Sequence, residues 1–212
     1  MNNEADHHFA ASRRKAAGWV KITAAVRRLL QEKSYHGITW GEIARTAGVS
    51  EALIYQHFKD RPGLLCGVIE ELLEAYVQEQ RQNLKGTYGA LNKLRRIIWS
   101  HIHSHNQDRV FAKILLLEVR GYPLFFESGA YRIIQEYGDM ILEIIREGVY
   151  NGEIRDEAAP EHIRQVILGT IEHLCLPLII FGREFSTDEL TDEACRIVFS
   201  GIAANPLPSK DQ

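Results

Sequence analysis

The sequence predicts an all-α protein built in two parts. Three observations predict it. Apolar residues recur at three- and four-residue intervals along most of the chain, no stretch alternates as a half-buried strand would, and Gly, Pro and Asn clusters leave room for about nine helices. At 212 residues, 45% hydrophobic and 25% charged, the chain is long enough for two helical cores.

Met1 to Ser12 is polar and aperiodic and reads as a flexible end. Arg13-Arg14-Lys15 follows; such a run suits either an arm reaching phosphates or a minor groove, or a solvated helix start. The first helix is expected over Ala16 to Lys33, with Trp19, Ile22, Val26, Leu29 and Leu30 on one face. His36-Gly37 ends it in a turn, where Gly37 suits a left-handed position.

Thr39 to Arg61 reads as a helix-turn-helix. Thr39 can cap the first helix and Glu42, three residues on, completes a capping box. Ile43, Ala44 and Ala47 form its buried side, with Ala44 small enough for a close partner. Gly48 supplies the positive φ that a short interhelix turn requires. Ser50 caps the second helix, whose Leu53, Ile54 and Phe58 face the first and leave Glu51, Ala52, Tyr55 and Gln56 to meet a DNA major groove.

Asp60, Arg61 and Pro62 open a fourth helix, since proline is tolerated in a first turn. It runs to about Leu84 and is the expected mechanical link, with a functional boundary near Leu73 that divides the chain into 13–73 and 74–205. Five further helices are expected at about Ala90–His105, Asp108–Arg120, Leu124–Tyr150, Pro160–Phe181 and Thr187–Ala204. The last two are unusually apolar: Ile163, Val166, Ile167, Thr170, Ile171, Leu174 and Leu178 on one, Leu190, Ala194, Ile197, Val198 and Gly201 on the other. One domain face cannot use them all.

Net charge is −3 but unevenly placed: residues 1–62 hold ten Lys or Arg against six Asp or Glu, and residues 63–212 hold fifteen against twenty-two. The basic surplus falls on the helix-turn-helix. The longest apolar run, Leu174 to Phe181, is eight residues and too short to cross a bilayer, and no leader opens the chain, so a cytoplasmic protein without a membrane partner is expected. Cys66, Cys175 and Cys195 are odd in number and scattered, which favours reduced core thiols. His101 and His105 lie one turn apart, yet no further ligand accompanies them at metal spacing, so no metal is expected. No phosphate loop, nucleophile elbow or zinc-protease helix is present, which argues against an enzyme and leaves no catalytic residue or cofactor to name.

Ile43-Ala44, Ala47-Gly48-Val49-Ser50 and Leu53 to Arg61 together resemble the DNA-binding domain of TetR-family transcriptional regulators. The likeness covers the first third of the chain closely and the rest in its helix pattern: three helices in an N-terminal reader, then a C-terminal ligand-binding and dimerisation domain. With the motif, Thr39, Tyr55, His57 and Lys59 match positions that contact phosphate, and Ser50, Glu51, Ala52 and Gln56 positions that face base edges. Glu51 and Trp40 depart from the usual pattern, Glu51 in charge and Trp40 in bulk.

The resemblance implies a palindromic double-stranded DNA operator, a homodimer joined through the last two helices as a four-helix bundle, and a small apolar or amphipathic effector. It places a pocket among Trp99, Ile102, Phe111, Leu115, Tyr122, Phe125, Phe126, Tyr137 and Ile141, with Glu118 and Arg120 near a polar ligand head. Leu117-Glu118-Val119-Arg120, Glu147-Gly148, Gly152-Glu153-Ile154 and Gly169-Thr170-Ile171-Glu172 look like the branch that responds to fatty acyl-coenzyme A. The expectation is a ligand-responsive repressor; the alternative is a ligand-binding or protein-interaction module with a vestigial helix-turn-helix.

Overall fold

The computed structural model describes residues 17–205. The expected flexible end, the Arg13-Arg14-Lys15 run and the expected helix start at Ala16 lie outside them. Among the described residues there are nine α-helices: α1 (Ala17–Glu32), α2 (Trp40–Ala47), α3 (Glu51–His57), α4 (Arg61–Asn83), α5 (Ala90–Gln107), α6 (Arg109–Lys113), α7 (Gly129–Tyr150), α8 (Pro160–Ile180) and α9 (Thr187–Ile202). They cluster into two compact units divided between Val68 and Ile69, inside α4 and about one turn before Leu73.

In the first unit Ile22, Val26, Ile38, Ile43, Ile54, Phe58 and Leu64 form a closed core. The ends of α2 and the start of α4 are fixed locally. Gly48 takes φ 65° and lets the chain leave α2, with Val49 N–H donating to the Ala44 carbonyl at 3.0 Å. Asp60 Oδ1 accepts from Gly63 N at 2.7 Å at the start of α4. Gly37, in contrast to expectation, does not take a left-handed conformation; positive φ among glycines occurs at Gly48, Gly86, Gly89, Gly152 and Gly182. The reason is that Tyr35–Gly37 forms one 3-10 turn, whose residues keep negative φ. That turn is tied to α4: the Tyr35 hydroxyl donates to the Arg61 carbonyl, Arg61 Nη2 donates to the Tyr35 carbonyl at 2.6 Å, and the guanidinium lies 5.0 Å above the ring.

The second unit is built around α5, which packs against α6, α7, α8 and α9. Its Ala90, Leu94, Ile97, Ile98 and Ile102 are fully buried at helical spacing. Gly148 permits the closest approach to it, because a Cβ there would stand 2.7 Å from the Ala90 Cβ. On α8 a strict four-residue stripe, Ile163, Ile167, Ile171, Cys175 and Ile179, faces the core.

Two expected helices are broken. The expected Asp108–Arg120 helix is regular only over α6, then becomes a π-helix at Ile114–Glu118 and a 3-10 turn at Val119–Gly121. The expected Leu124–Tyr150 helix splits into a 3-10 segment, Pro123–Glu127, and α7. Ser128 causes that break: its Oγ accepts from Tyr131 N at 3.2 Å, a cap that starts a new helix ahead of a weak helix former, Gly129.

Candidate nucleic-acid interface and interior polar chain

The capping box at α2 is complete. Thr39 Oγ1 accepts from Glu42 N at 3.2 Å, and Glu42 Oε2 accepts from Thr39 N at 2.9 Å. Lys33 Nζ also donates to Glu42, and this bond, with those from Thr39, holds the exposed carboxyl down at about 2. The Thr39 hydroxyl proton points at Glu42 Oε2, 3.1 Å away, so a phosphate reaching Thr39 competes with that carboxylate.

On α3, Ser50 Oγ accepts from Leu53 N at 3.2 Å, and Ile54, fully buried, seats the helix on the core. Ala52, Tyr55 and Gln56 are exposed on its outer side, and Lys59 is exposed just beyond it. Tyr55, 51% exposed, rests against Trp40 with ring centroids 5.1 Å apart. The bulk of Trp40 thus supports the Tyr55 ring. Glu51 is exposed but leans back: its Oε1 lies 3.2 Å from where a Cβ on Gly41 would stand, beside the first turn of α2. The positive end of α2 favours a carboxylate there, which draws Glu51 away from base edges. His57 is half-buried, edge-on to Trp19 at 6.3 Å, and Trp19 in turn lies 4.4 Å from Phe58. Of the eight residues named from sequence all but His57 are exposed; Thr39, Ser50 and Glu51 are engaged within the head, which leaves Ala52, Tyr55, Gln56 and Lys59 to face a partner.

In the second unit the named residues divide. Leu115, Phe125 and Tyr137 are buried; Phe111 and Glu118 are half-buried. Trp99 is at the surface, where its Nε1 donates to Asp188 at 2.6 Å and its ring stacks on His103 at 4.6 Å, so it fastens α5 to α9. Phe126 and Leu124 are exposed, whereas Ile102 and Ile141 are sealed in the core. Arg120 makes a two-bond ion pair with Glu172 on α8, one contact at 3.0 Å. A solvent-open cleft lined by Val149, Gly152, Ile154, Arg155, Asp156, Glu157 and Ala204 includes Gly152 and Ile154 of the acyl-coenzyme A pieces but none of the residues expected around the pocket.

A polar chain inside this unit was missed by sequence reasoning. The Tyr76 and Tyr137 hydroxyls are 3.2 Å apart, Tyr137 OH is 3.3 Å from His101 Nδ1, and the His101 and His105 rings are 4.7 Å apart. Burial pushes both phenols well above their ordinary range. Loss of hydration lowers His101, with the neighbouring His105 adding to the effect, and lowers His105 to about 4. The one-turn spacing of His101 and His105 was the available signal, but Tyr76 and Tyr137 come from distant helices. Among the described residues no group of three His, Cys, Asp or Glu stands together as a metal would need.

The pieces that suggested an acyl-coenzyme A branch have structural roles. Glu147 binds Lys93 Nζ at 2.8 and 2.7 Å, Gly148 forms the crossing with α5, and Glu153 Oε2 accepts from Ala90 N at 2.8 Å to cap α5. Glu172 holds Arg120.

A family model described as bacterial regulatory proteins, tetR family, matches residues 22–66, and one described as YsiA-like protein, C-terminal region, matches residues 69–201. The fatty acid metabolism regulator protein of Bacillus subtilis (strain 168) is 25% identical over 190 residues, covering 90% of this chain and 98% of that protein. Among solved structures, the transcriptional regulator FadR from Bacillus subtilis in complex with stearoyl-CoA is similar with TM-score 0.76 at 24% identity, over 86% of this chain and 98% of that one. The fatty acid degradation regulator FadR from Bacillus halodurans is similar with TM-score 0.77 at 21% identity, over 89% and 98%. With both halves matched in order, the chain belongs to the TetR family of bacterial transcriptional regulators.

Proposed function

We propose that this regulator is a cytoplasmic homodimeric repressor that leaves a palindromic operator when a long-chain fatty acyl-coenzyme A binds its C-terminal unit. The observation that carries the DNA reading is the outer side of α3, where Ala52, Tyr55 and Gln56 stand exposed on a unit with a basic surplus. Gln56 pairs with adenine, Ala52 meets a thymine methyl, and Tyr55 and Lys59 donate to phosphate, with Thr39, Ser50, Glu51 and His57 in supporting positions. The effector class rests on the Bacillus subtilis relative, named for fatty acid metabolism, and on the FadR structure that holds stearoyl-CoA. In this chain the acyl chain would lie among Phe111, Leu115, Phe125 and Tyr137, with Glu118 and Arg120 toward its polar end; the surface position of Trp99 favours a structural part for it.

The dimer reading is supported by the outer sides of the last two helices. Val166 and Ile197 are 55% and 53% exposed, and a Cβ on Gly169 or Gly201 would meet open space. By length and composition α8 is apolar enough to span a bilayer; in this reading its outer side is covered by the same helix of a second copy. Effector binding shifts α4, alters the separation of the two α3 helices and weakens operator binding, a coupling of roughly 1–3 kcal/mol.

The test is selection of genomic fragments with purified protein, then binding of the recovered fragment across a salt series. A shared palindrome, bound more weakly as salt rises, is expected. Folded protein that enriches no sequence would instead favour an interaction module with a vestigial helix-turn-helix.

A further inference from the structure

The interior polar chain ends on an atom without a partner. His105 is 3% exposed, and its Nε2 is buried with no hydrogen-bond partner. A buried acceptor left unmet is costly, and such orphans call for an explanation. The other ring nitrogen fixes its state. The Ser104 hydroxyl donates its one proton to the His101 carbonyl at 2.8 Å, which leaves Ser104 Oγ to accept from His105 Nδ1 at 3.4 Å and assigns the ring proton to Nδ1. A neutral imidazole carries one proton, so Nε2 presents a bare lone pair.

The surroundings agree with a neutral ring. His101 stands next to it on α5, Tyr76 on α4 and Tyr137 on α7 continue the polar chain, and the Arg120–Glu172 pair bears on it with opposite charges. In the same unit the Ile114–Glu118 segment is wound as a π-helix, a form that recurs at functional sites.

We propose that His105 Nε2 is the acceptor for a neutral hydrogen-bond donor of the effector, which makes the interior of the C-terminal unit selective for a ligand with such a group rather than for apolar length alone. This rests on the acyl-coenzyme A reading above. The donor has two sources, a hydroxyl on the acyl chain or an amide or hydroxyl of the pantetheine arm. Either places N–H or O–H against the imidazole while the remaining chain lies among apolar side chains.

The experiment measures the affinity of the full chain for stearoyl-CoA and for a set of its chain-hydroxylated isomers, with wild type, His105→Leu and His105→Gln. Effector-free operator binding serves as the control for folding. His105→Leu is expected to lose about tenfold in affinity for the ligand that carries the donor, and His105→Gln, which keeps an acceptor, to restore most of it. A wild-type preference for one hydroxylated isomer, lost in His105→Leu, places the donor on the acyl chain. Equal wild-type binding of all ligands, with a common loss in His105→Leu, places it in the pantetheine arm. Wild-type affinities in His105→Leu, or a loss that His105→Gln does not restore, overturn the proposal while leaving the effector class standing. No binding of any thioester by folded wild type withdraws the effector class and this inference with it.

Discussion

The two units hold their helices in different ways. In the first, the starts of α2, α3 and α4 are each fixed by a residue three positions away: Thr39 with Glu42, Ser50 with Leu53, Asp60 with Gly63. In the second, α6, α7 and α9 are capped in the same local way by Asp108, Ser128 and Ser186, but α5 follows Gly89, which offers no side chain, and is capped by Glu153 from 63 residues away. Trp99 is fastened by Asp188, and Arg120 by Glu172. The reading head thus adds one distant tie, Tyr35 with Arg61, to its local caps, whereas the effector unit adds several distant pairs to its own. A head so built presents the same α3 surface whatever happens elsewhere, whereas a unit held by distant pairs has arrangements that a ligand can exchange.

Matched core truncations test this contrast hardest. Ile54→Ala and Ile97→Ala each remove a fully buried side chain, and each is expected to cost about 2–5 kcal/mol in urea unfolding. Hydrogen exchange should localise the first loss to α1–α3 and the second to α5 and its neighbours. Loss spread evenly over both units by either variant would break the distinction.

Acid should separate the units next. His105 falls from its ordinary 6.5 to about 4 in the folded state, so the unfolded chain takes up protons first, and the second unit loses on the order of 3 kcal/mol as pH falls from 6.5 through 4. The charged and titratable groups facing it are His101, Tyr76, Tyr137, Arg120 and Glu172; of these His101 titrates in the same direction and deepens the loss. Glu42 in the head, also lowered when folded, gives stability that is present above 4.5 and disappears toward about 2. Circular dichroism at tryptophan and far-ultraviolet wavelengths should therefore show the second unit weakening at higher pH than the head.

Smaller effects refine the comparison. Gln56→Ala is expected to cost about 1–3 kcal/mol at one base pair and to change the ranking of operator variants, whereas Lys59→Ala should weaken all of them alike. An unchanged ranking in Gln56→Ala would remove it as a reader. Thr39→Ala and Glu153→Ala should each cost about 1 kcal/mol in thermal unfolding, a local cap and a distant one of equal worth. A negligible effect of Glu153→Ala would mean that α5 does not depend on long-range capping.

The same contrast decides what the sequence disclosed. The capping box, the Gly48 turn and the apolar side of α3 were legible because each is a short-range pattern with a stated cause. The cap at Ser128 is masked in the sequence because the apolar period continues across it, although Ser-Gly is a break signal. The π-helix at Ile114–Glu118 has no such local signature: Ile114-Leu115-Leu116-Leu117 reads as ordinary helix. Glu51 looked like a base reader from its register alone; only the packing of α3 against α2 shows the carboxylate beside Gly41. The Tyr76–Tyr137–His101 chain joins three helices and leaves no periodic trace; the sequence shows only the one-turn spacing of His101 and His105, which by itself points to neither a metal nor a polar chain. Trp99 at an apolar helix position looked interior until Asp188 gave its indole a partner at the surface.

The most direct test of the account is the affinity of the full chain for its selected operator with and without saturating stearoyl-CoA, at fixed salt. Stearoyl-CoA is expected to bind and to weaken operator affinity by about 5- to 150-fold. Stearoyl-CoA that binds while operator affinity stays the same would contradict it.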